Sequence, residues 1–367
     1  MRIVQFITSL RTGGAERLVT DLSVCFLEAG HDVSLLLLDG SVTPFLEELK
    51  SAGIQVTALS KGYRSMRNPF LVFKLIRFLK KGRFDIIHTH NTSCQFLAAM
   101  ASLFLPLTMV TTEHNTSNRR RGWSLFKPLD RWMYSRYKRV FCVGEETLTR
   151  LSDYLGSSVS NKVVLVRNGI NISKFSEAIP DKEISSVEGF KVIMVAAFRA
   201  QKDQETLIRS MALLPEDYYL FLVGGVDLPE DEPNLNNCLT LSNELGLSDR
   251  VSFLGKRANV PSLLAAADVV VLSTHYEGMS LSVIEGMACG KPFVASDVMG
   301  VREQVKGAGI LFPEGNEAAL ANVLKALRAD SGLSSEVSNN CVEKASDYDI
   351  GLAVDRHLAE YQSILNG

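Results

Sequence analysis

Short apolar runs alternate with amphipathic stretches along the whole chain, and no other feature limits the possible folds so sharply. Residues 3–8 form an apolar run, a loop follows over 10–14, and residues 15–29 carry a helical pattern. Residues 33–38 are continuously apolar between His-Asp and Asp-Gly pairs, the mark of a strand buried on both faces. Residues 85–88, 109–112 and 139–143 repeat this style, with helical stretches between them. A second series begins at Lys191, with runs at 192–196, 219–223, 251–253, 269–272 and 293–295. Such alternation builds a parallel sheet covered by helices on both faces, so the fold class is α/β.

A chain of 367 residues is long enough for two domains at roughly 100–200 residues each. The boundaries are drawn at 1–170 for the first and 191–349 for the second. A polar linker rich in Ser, Asp, Glu and Lys lies at 171–190. The final segment has apolar residues at 350, 354, 358, 361, 364 and 365, which predicts an amphipathic helix over 350–367.

With 46% hydrophobic and 22% charged residues, the composition excludes disordered, collagen-like and disulfide-scaffold classes. The six cysteines stand at least 48 residues apart, so none has zinc-ligand or redox-motif spacing, which suits a reducing compartment. The first ten residues lack the apolar length of a signal peptide. The longest apolar stretch, residues 96–110, contains Pro106 and is too short to span a bilayer. A cytoplasmic protein is expected. The net charge of −2 conceals a split: residues 1–174 carry +11 and residues 175–367 carry −13. The two halves are expected to meet different partners.

Two glycine-bearing segments suggest anion binding. In Thr8-Ser9-Leu10-Arg11-Thr12-Gly13-Gly14-Ala15-Glu16, paired glycines between strand and helix let backbone N–H groups approach an anion, although a plain tight turn has the same letters. It is neither a dinucleotide fingerprint nor a P-loop. The stronger segment runs from Glu277 through Gly278, Ser280, Leu281 and Glu285 to Gly290-Lys291-Pro292. Glu277 follows a strand, in the region where open α/β sheets bind ligands, and Glu285 lies on the next helix, whose first-turn amides can face a phosphate.

These segments resemble the Glu-x7-Glu pattern of retaining family 4 glycosyltransferases (glycosyl transferases group 1) with the GT-B fold. Asn168-Gly169-Ile170, Gln201-Lys202-Asp203, Phe253-Leu254-Gly255 and Ala266-Ala267-Asp268 extend the likeness over nearly the whole chain. The resemblance implies two Rossmann-like domains facing a central cleft, with the last helix crossing back to the N-terminal domain. It implies a hexosyltransferase that moves a sugar from a nucleotide-diphosphate sugar to an acceptor, with retention, needing neither cofactor nor metal ion. The acceptor is a lipid-linked or surface-polysaccharide intermediate by analogy.

The resemblance also assigns roles. Glu277 would contact the donor sugar, Glu285 the ribose, and Ser280 and Leu281 the diphosphate through their N–H groups. Lys202 would neutralise the departing diphosphate, and Gly13 and Gly14 would approach it. Many relatives carry an arginine where this chain has Ala197, so Arg199 is expected to supply the second cation. His114, in Thr112-Glu113-His114-Asn115, matches the family histidine near the donor sugar. His88-Thr89-His90 could suggest a metal, since residues two apart share one strand face, but no third ligand is recognisable and cleft lining is the better account. Two alternatives stay open: an epimerase or hydrolase on the same fold, and a non-catalytic nucleotide-sugar-binding protein.

The stretch from Arg119, Arg120, Arg121 and Trp123 to Arg139 holds eight basic residues and one acid. Cations beside tryptophans suit an anionic membrane surface or the acceptor, making the protein peripheral on the inner face of the cytoplasmic membrane; a solvated helix face is the plainer reading. No nucleic-acid-binding module is recognisable.

Overall fold

In a computed structural model of the chain, the description covers residues 1–11, 13–62, 68, 70–114, 121, 123–226 and 229–367. Among these residues, seven strands form one parallel sheet: β1 (Arg2–Ile7), β2 (Asp32–Asp39), β3 (Gln55–Ser60), β4 (Ile86–His90), β5 (Met109–Glu113), β6 (Arg139–Cys142) and β7 (Val163–Leu165). Their spatial order is β3-β2-β1-β4-β5-β6-β7. The continuous apolar runs arise because the sheet is covered on both faces. Val4, Phe6, Leu36 and Leu38 join one core cluster. Ile7, Leu35 and Leu37, on the opposite face, join another.

A second parallel sheet contains β8 (Phe190–Val195), β9 (Tyr218–Val223), β10 (Val251–Gly255), β11 (Val269–Leu272), β12 (Phe293–Ser296) and β13 (Ile310–Phe312), in the order β10-β9-β8-β11-β12-β13. In each sheet the strand order reverses beside the first strand, at β1/β4 and at β8/β11. The carboxyl ends of the strands at such a reversal form a crevice suited to ligands.

The two sheets belong to separate units, Met1–Gly169 with Ile350–Gly367, and Ile170–Asp349. The last helix, Ile350–Asn366, is thus part of the first unit. There Tyr361 packs 5.8 Å from the ring of Phe26, and Arg139 Nε donates to Glu360 at 3.1 Å. Its buried face is Ile350, Ala353, Val354, His357 and Tyr361. His357 thus joins a face that the apolar pattern alone left without it.

The polar stretch expected as a linker is instead folded into the second unit. It forms two short helical turns, Ser173–Ser176 and Lys182–Ser185, that bury Phe175 and Ile184. The Asp181 carboxylate accepts from Glu183 N–H and Ile184 N–H, and the Asp181 N–H donates to Ser262 O at 2.9 Å. Two buried apolar anchors and a cap turn a polar composition into fixed structure.

Candidate active site

In the second unit the chain leaves β8 through residues 196–203 and returns at the carboxyl end of β11. The two segments are pinned together: Lys202 and Thr274 form an antiparallel bridge, and His275 N–H donates to Gln201 O at 2.9 Å. This pairing places Lys202 Nζ against Glu277 Oε1, with the side chains only 12% and 8% exposed. Gln201 Nε2 donates to Glu277 Oε2 at 3.1 Å and Thr274 Oγ1 to Oε1 at 3.0 Å. The carboxylate thus accepts charge-assisted hydrogen bonds on both oxygens.

Gly300 (φ +83) makes this loop possible, because a Cβ there would lie 2.1 Å from Glu277 O. Arg199 is exposed, and its carbonyl accepts the Lys202 N–H at 2.8 Å in the same turn. The Ala197 carbonyl accepts from Gln204 Nε2 at 3.1 Å.

Beyond Glu277 the chain enters the helix Leu281–Ala288, so only the second glutamate of the motif, half-buried Glu285, is helical. Ser280 is the N-cap in extended conformation, without a side-chain cap. The Ser280 N–H, expected to meet the diphosphate, here donates to Gln304 Oε1 at 2.9 Å. Gln304 Nε2 in turn donates to Ser280 O at 3.1 Å. Leu281, the first helical residue, has no carbonyl one turn back within its helix to accept its N–H, as at any helix start. Gln304 is far from the motif in sequence, and only its burial as a polar side chain signals a structural task.

In the first unit Gly13 caps the helix Gly14–Glu28 in an extended conformation. A Cβ on Gly13 would stand 2.3 Å from Glu16 Oε2, so the glycine is required for the Glu16 carboxylate to fold back over the cap. Gly13, expected to approach the diphosphate, thus stands beside the Glu16 carboxylate. The positive helix end already faces a carboxylate, which satisfies the dipole and repels a second anion.

His114 follows β5 and lies 3.0 Å, Nε2 to Nδ1, from His90, the last residue of β4. His90 Nε2 is 2.7 Å from Gln5 Oε1 on β1. His88 stacks on His90 with ring centres 4.2 Å apart, and bonds Thr112 Oγ1 and the Tyr361 hydroxyl, each at 2.7 Å. His357 adds a fourth imidazole, 5.4 Å from His88. Burial pushes His114 down to about 4, against a small opposing pull from Glu113, and pushes His357 to about 4 as well. Burial and the neighbouring rings hold His88 and His90 well below the usual histidine value. All four are therefore neutral at pH 7. No group of three or more His, Cys, Asp or Glu arranged to hold a metal ion occurs among the described residues.

The membrane-facing expectation for Arg121 is corrected. Its Nη2 reaches Glu113 Oε2 at 2.5 Å and the Tyr134 hydroxyl at 3.1 Å, and the ion pair is less than 10% exposed on either side. Glu113 also accepts from Tyr134 at 2.5 Å and from Gln95 at 2.6 Å. Once Glu113 is buried at the end of β5, it requires a cation, and Arg121 turns inward to supply it. Trp123 is 67% exposed. Arg119 and Arg120 lie outside the described residues, as do Thr12 and Asn115.

Two family models divide this chain between them. One, described as Glycosyltransferase Family 4, matches residues 12–174, and the other, Glycosyl transferases group 1, matches residues 175–347. The chain belongs to glycosyltransferase family 4. This family 4 glycosyltransferase is 25% identical over 89% of its length to the UDP-Gal:alpha-D-GlcNAc-diphosphoundecaprenol alpha-1,3-galactosyltransferase of Escherichia coli, of which it covers 87%. It is also 25% identical to the N,N'-diacetylbacillosaminyl-diphospho-undecaprenol alpha-1,3-N-acetylgalactosaminyltransferase of Campylobacter jejuni, over 88% of this chain and 89% of that protein. The crystal structure of HepE from Anabaena in complex with UDP shares the fold, with a TM-score of 0.83 at 23% identity, covering 99% of this chain and all of HepE. The GT-B reading of two Rossmann-like units is therefore correct.

Proposed function

We propose that this glycosyltransferase transfers a hexosyl group from a nucleotide-diphosphate sugar to a lipid-linked acceptor, with retention and without a metal ion. The observation that carries this reading is the buried Lys202–Glu277 pair at the carboxyl end of β11, followed by the start of the Leu281 helix. A cation and first-turn amides in one place suit a diphosphate, and a nearby carboxylate suits a sugar hydroxyl. Lys202 neutralises the leaving diphosphate together with the Leu281 N–H, and Arg199 adds charge from the exposed turn. Glu277 orients the sugar, Glu285 takes the ribose hydroxyls, and His114 accepts from a sugar hydroxyl on the first unit.

In the transfer, the acceptor oxygen bonds to the anomeric carbon on the face from which the diphosphate departs. The bond to the phosphate oxygen breaks, and the acceptor's proton passes to that oxygen. No side-chain nucleophile is required. The lipid-linked acceptor is inferred from the Escherichia coli and Campylobacter jejuni relatives, whose names specify diphosphoundecaprenol-linked sugars.

A thermal-shift screen over UDP-, GDP- and ADP-sugars should raise the melting temperature with one nucleotide class. Product NMR with that donor should show the donor's own anomeric configuration, with activity unchanged in EDTA. An inverted product, loss of activity in EDTA, or donor consumption without acceptor would each refute a part of the reading.

The acceptor's lipid calls for a membrane surface, and we assign it to exposed residues of the first unit. Trp123 (67% exposed) and Leu125 (82% exposed) take that role in place of Arg121. No helix among the described residues is long and apolar enough to cross a membrane. Sedimentation with anionic vesicles at low salt should retain the native chain and release Trp123→Ala/Leu125→Ser. Equal retention of both would remove this surface.

A further inference from the structure

Gln5 lies on β1, His90 ends β4 and His114 directly follows β5, three neighbouring strands of one sheet. Gln5 and His90 are wholly buried, so the contact between them is shielded from competing water. The order of protons along the chain follows from one acceptor. Gln5 Oε1, 2.7 Å from His90 Nε2, can only accept, so His90 carries its proton on Nε2. The Gln5 amide oxygen faces His90, while its nitrogen is buried with no hydrogen-bond partner among the described residues. The Tyr361 hydroxyl lies 2.7 Å from His88 Nδ1. A neutral His90 protonated at Nε2 has a bare Nδ1. The only hydrogen that can fill the 3.0 Å contact to His114 is therefore the one on His114 Nε2.

We propose that Gln5 and His90 are positioning residues that hold His114 in its Nε2–H form, with Nδ1 bare and the ring fixed about its bond to Cβ. This rests on the reading of His114 as the acceptor of a sugar hydroxyl, for which a bare ring nitrogen at a fixed place is the requirement. Neighbouring groups that fix a histidine's tautomer typically change activity by about 10–100-fold when removed, the magnitude known for metal-bound histidines. His88 contributes differently. It stacks on the His90 ring and is itself held by Thr112 and Tyr361, so His90 cannot swing out of line.

The test is the tautomer itself, read in the full chain by two-bond 1H–15N correlation on protein labelled at its six histidines, with His114→Gln used for assignment. The native chain should show His114 protonated at Nε2 at pH 7. In His90→Phe the His114 signals should move to a mixture of tautomers, and kcat should fall about tenfold or more with little change in KM. His90→Gln keeps an acceptor and a donor on one planar group and should restore the Nε2–H form and most of the lost rate. Should His90→Phe fail to fold, Gln5→Leu removes the orienting acceptor, leaves every imidazole in place, and is read in the same way. A native His114 protonated at Nδ1, or an unchanged tautomer in Gln5→Leu and His90→Phe alike, overturns the proposal. A tautomer that shifts while transfer is unaffected upholds the positioning and refutes instead the part given to His114 in transfer.

Discussion

Lys202→Ala should lower kcat by about 10²–10³-fold, the usual loss when one preorganised charge-stabilising group is removed from an enclosed site. The magnitude follows from enclosure. The Lys202 side chain is 12% exposed, so water cannot replace the ammonium as charge develops on the departing diphosphate. The same substitution leaves Glu277 buried without its cation, at a stability cost of about 3–5 kcal/mol. Loss of activity alone would therefore be ambiguous. In Lys202→Met/Glu277→Gln the buried charge is gone from both sides, and Gln201 and Thr274 still face the residue at 277. Stability should recover in the double variant while transfer stays lost, measured as kcat beside urea denaturation on the same samples. A Lys202→Ala enzyme that folds and transfers at the native rate would remove the lysine from the mechanism.

The features legible in the sequence were those whose cause is local. Residues 33–38 announce β2 because a strand covered on both faces needs an unbroken apolar run, and the 277–285 segment announces its loop and helix through adjacent letters. Three of the four edge strands, β3, β7 and β13, were not legible, while β10 was. β3 is Gln-Val-Thr-Ala-Leu-Ser with much of its length exposed, and β7 and β13 are three residues each, so neither run length nor alternation separates them from a loop. Arg121 looked like its neighbours in a basic run. Its inward turn depends on Glu113, eight positions earlier on a buried strand end. The ring of groups around His114 was out of reach for the same reason. Tyr361 meets His88 across 273 positions of sequence, and Gln5 meets His90 across 85. One signal was present: Gln5 interrupts an otherwise apolar run in a strand covered on both faces, and a buried amide there demands a polar partner.

The histidine cluster that surrounds this partner makes stability depend on pH in a window distinct from that of the carboxylates. His88, His90, His114 and His357 all have folded pKa values below the ordinary 6.5, because burial disfavours their charged form. The unfolded chain then binds more protons than the native one, so stability rises with pH. It is complete above about pH 6.5 and falls as the pH drops toward about 4, where His114 and His357 protonate in the folded state too. Each of those two shifts amounts to roughly 3 kcal/mol if taken alone. The rings share one cluster, so the contributions overlap rather than add. Salt-bridged carboxylates such as Asp217, which Arg328 holds below the usual range, lose their contribution only at still lower pH. The urea midpoint should therefore decline steeply between pH 6.5 and 4. His357→Phe keeps an aromatic ring against Phe141 and Tyr361 while deleting one of the four protonation sites, so its midpoint should decline less over the same interval. A native midpoint that stays level from pH 6.5 to 4 would mean that the cluster takes up protons without unfolding, and that at least one ring is open to water.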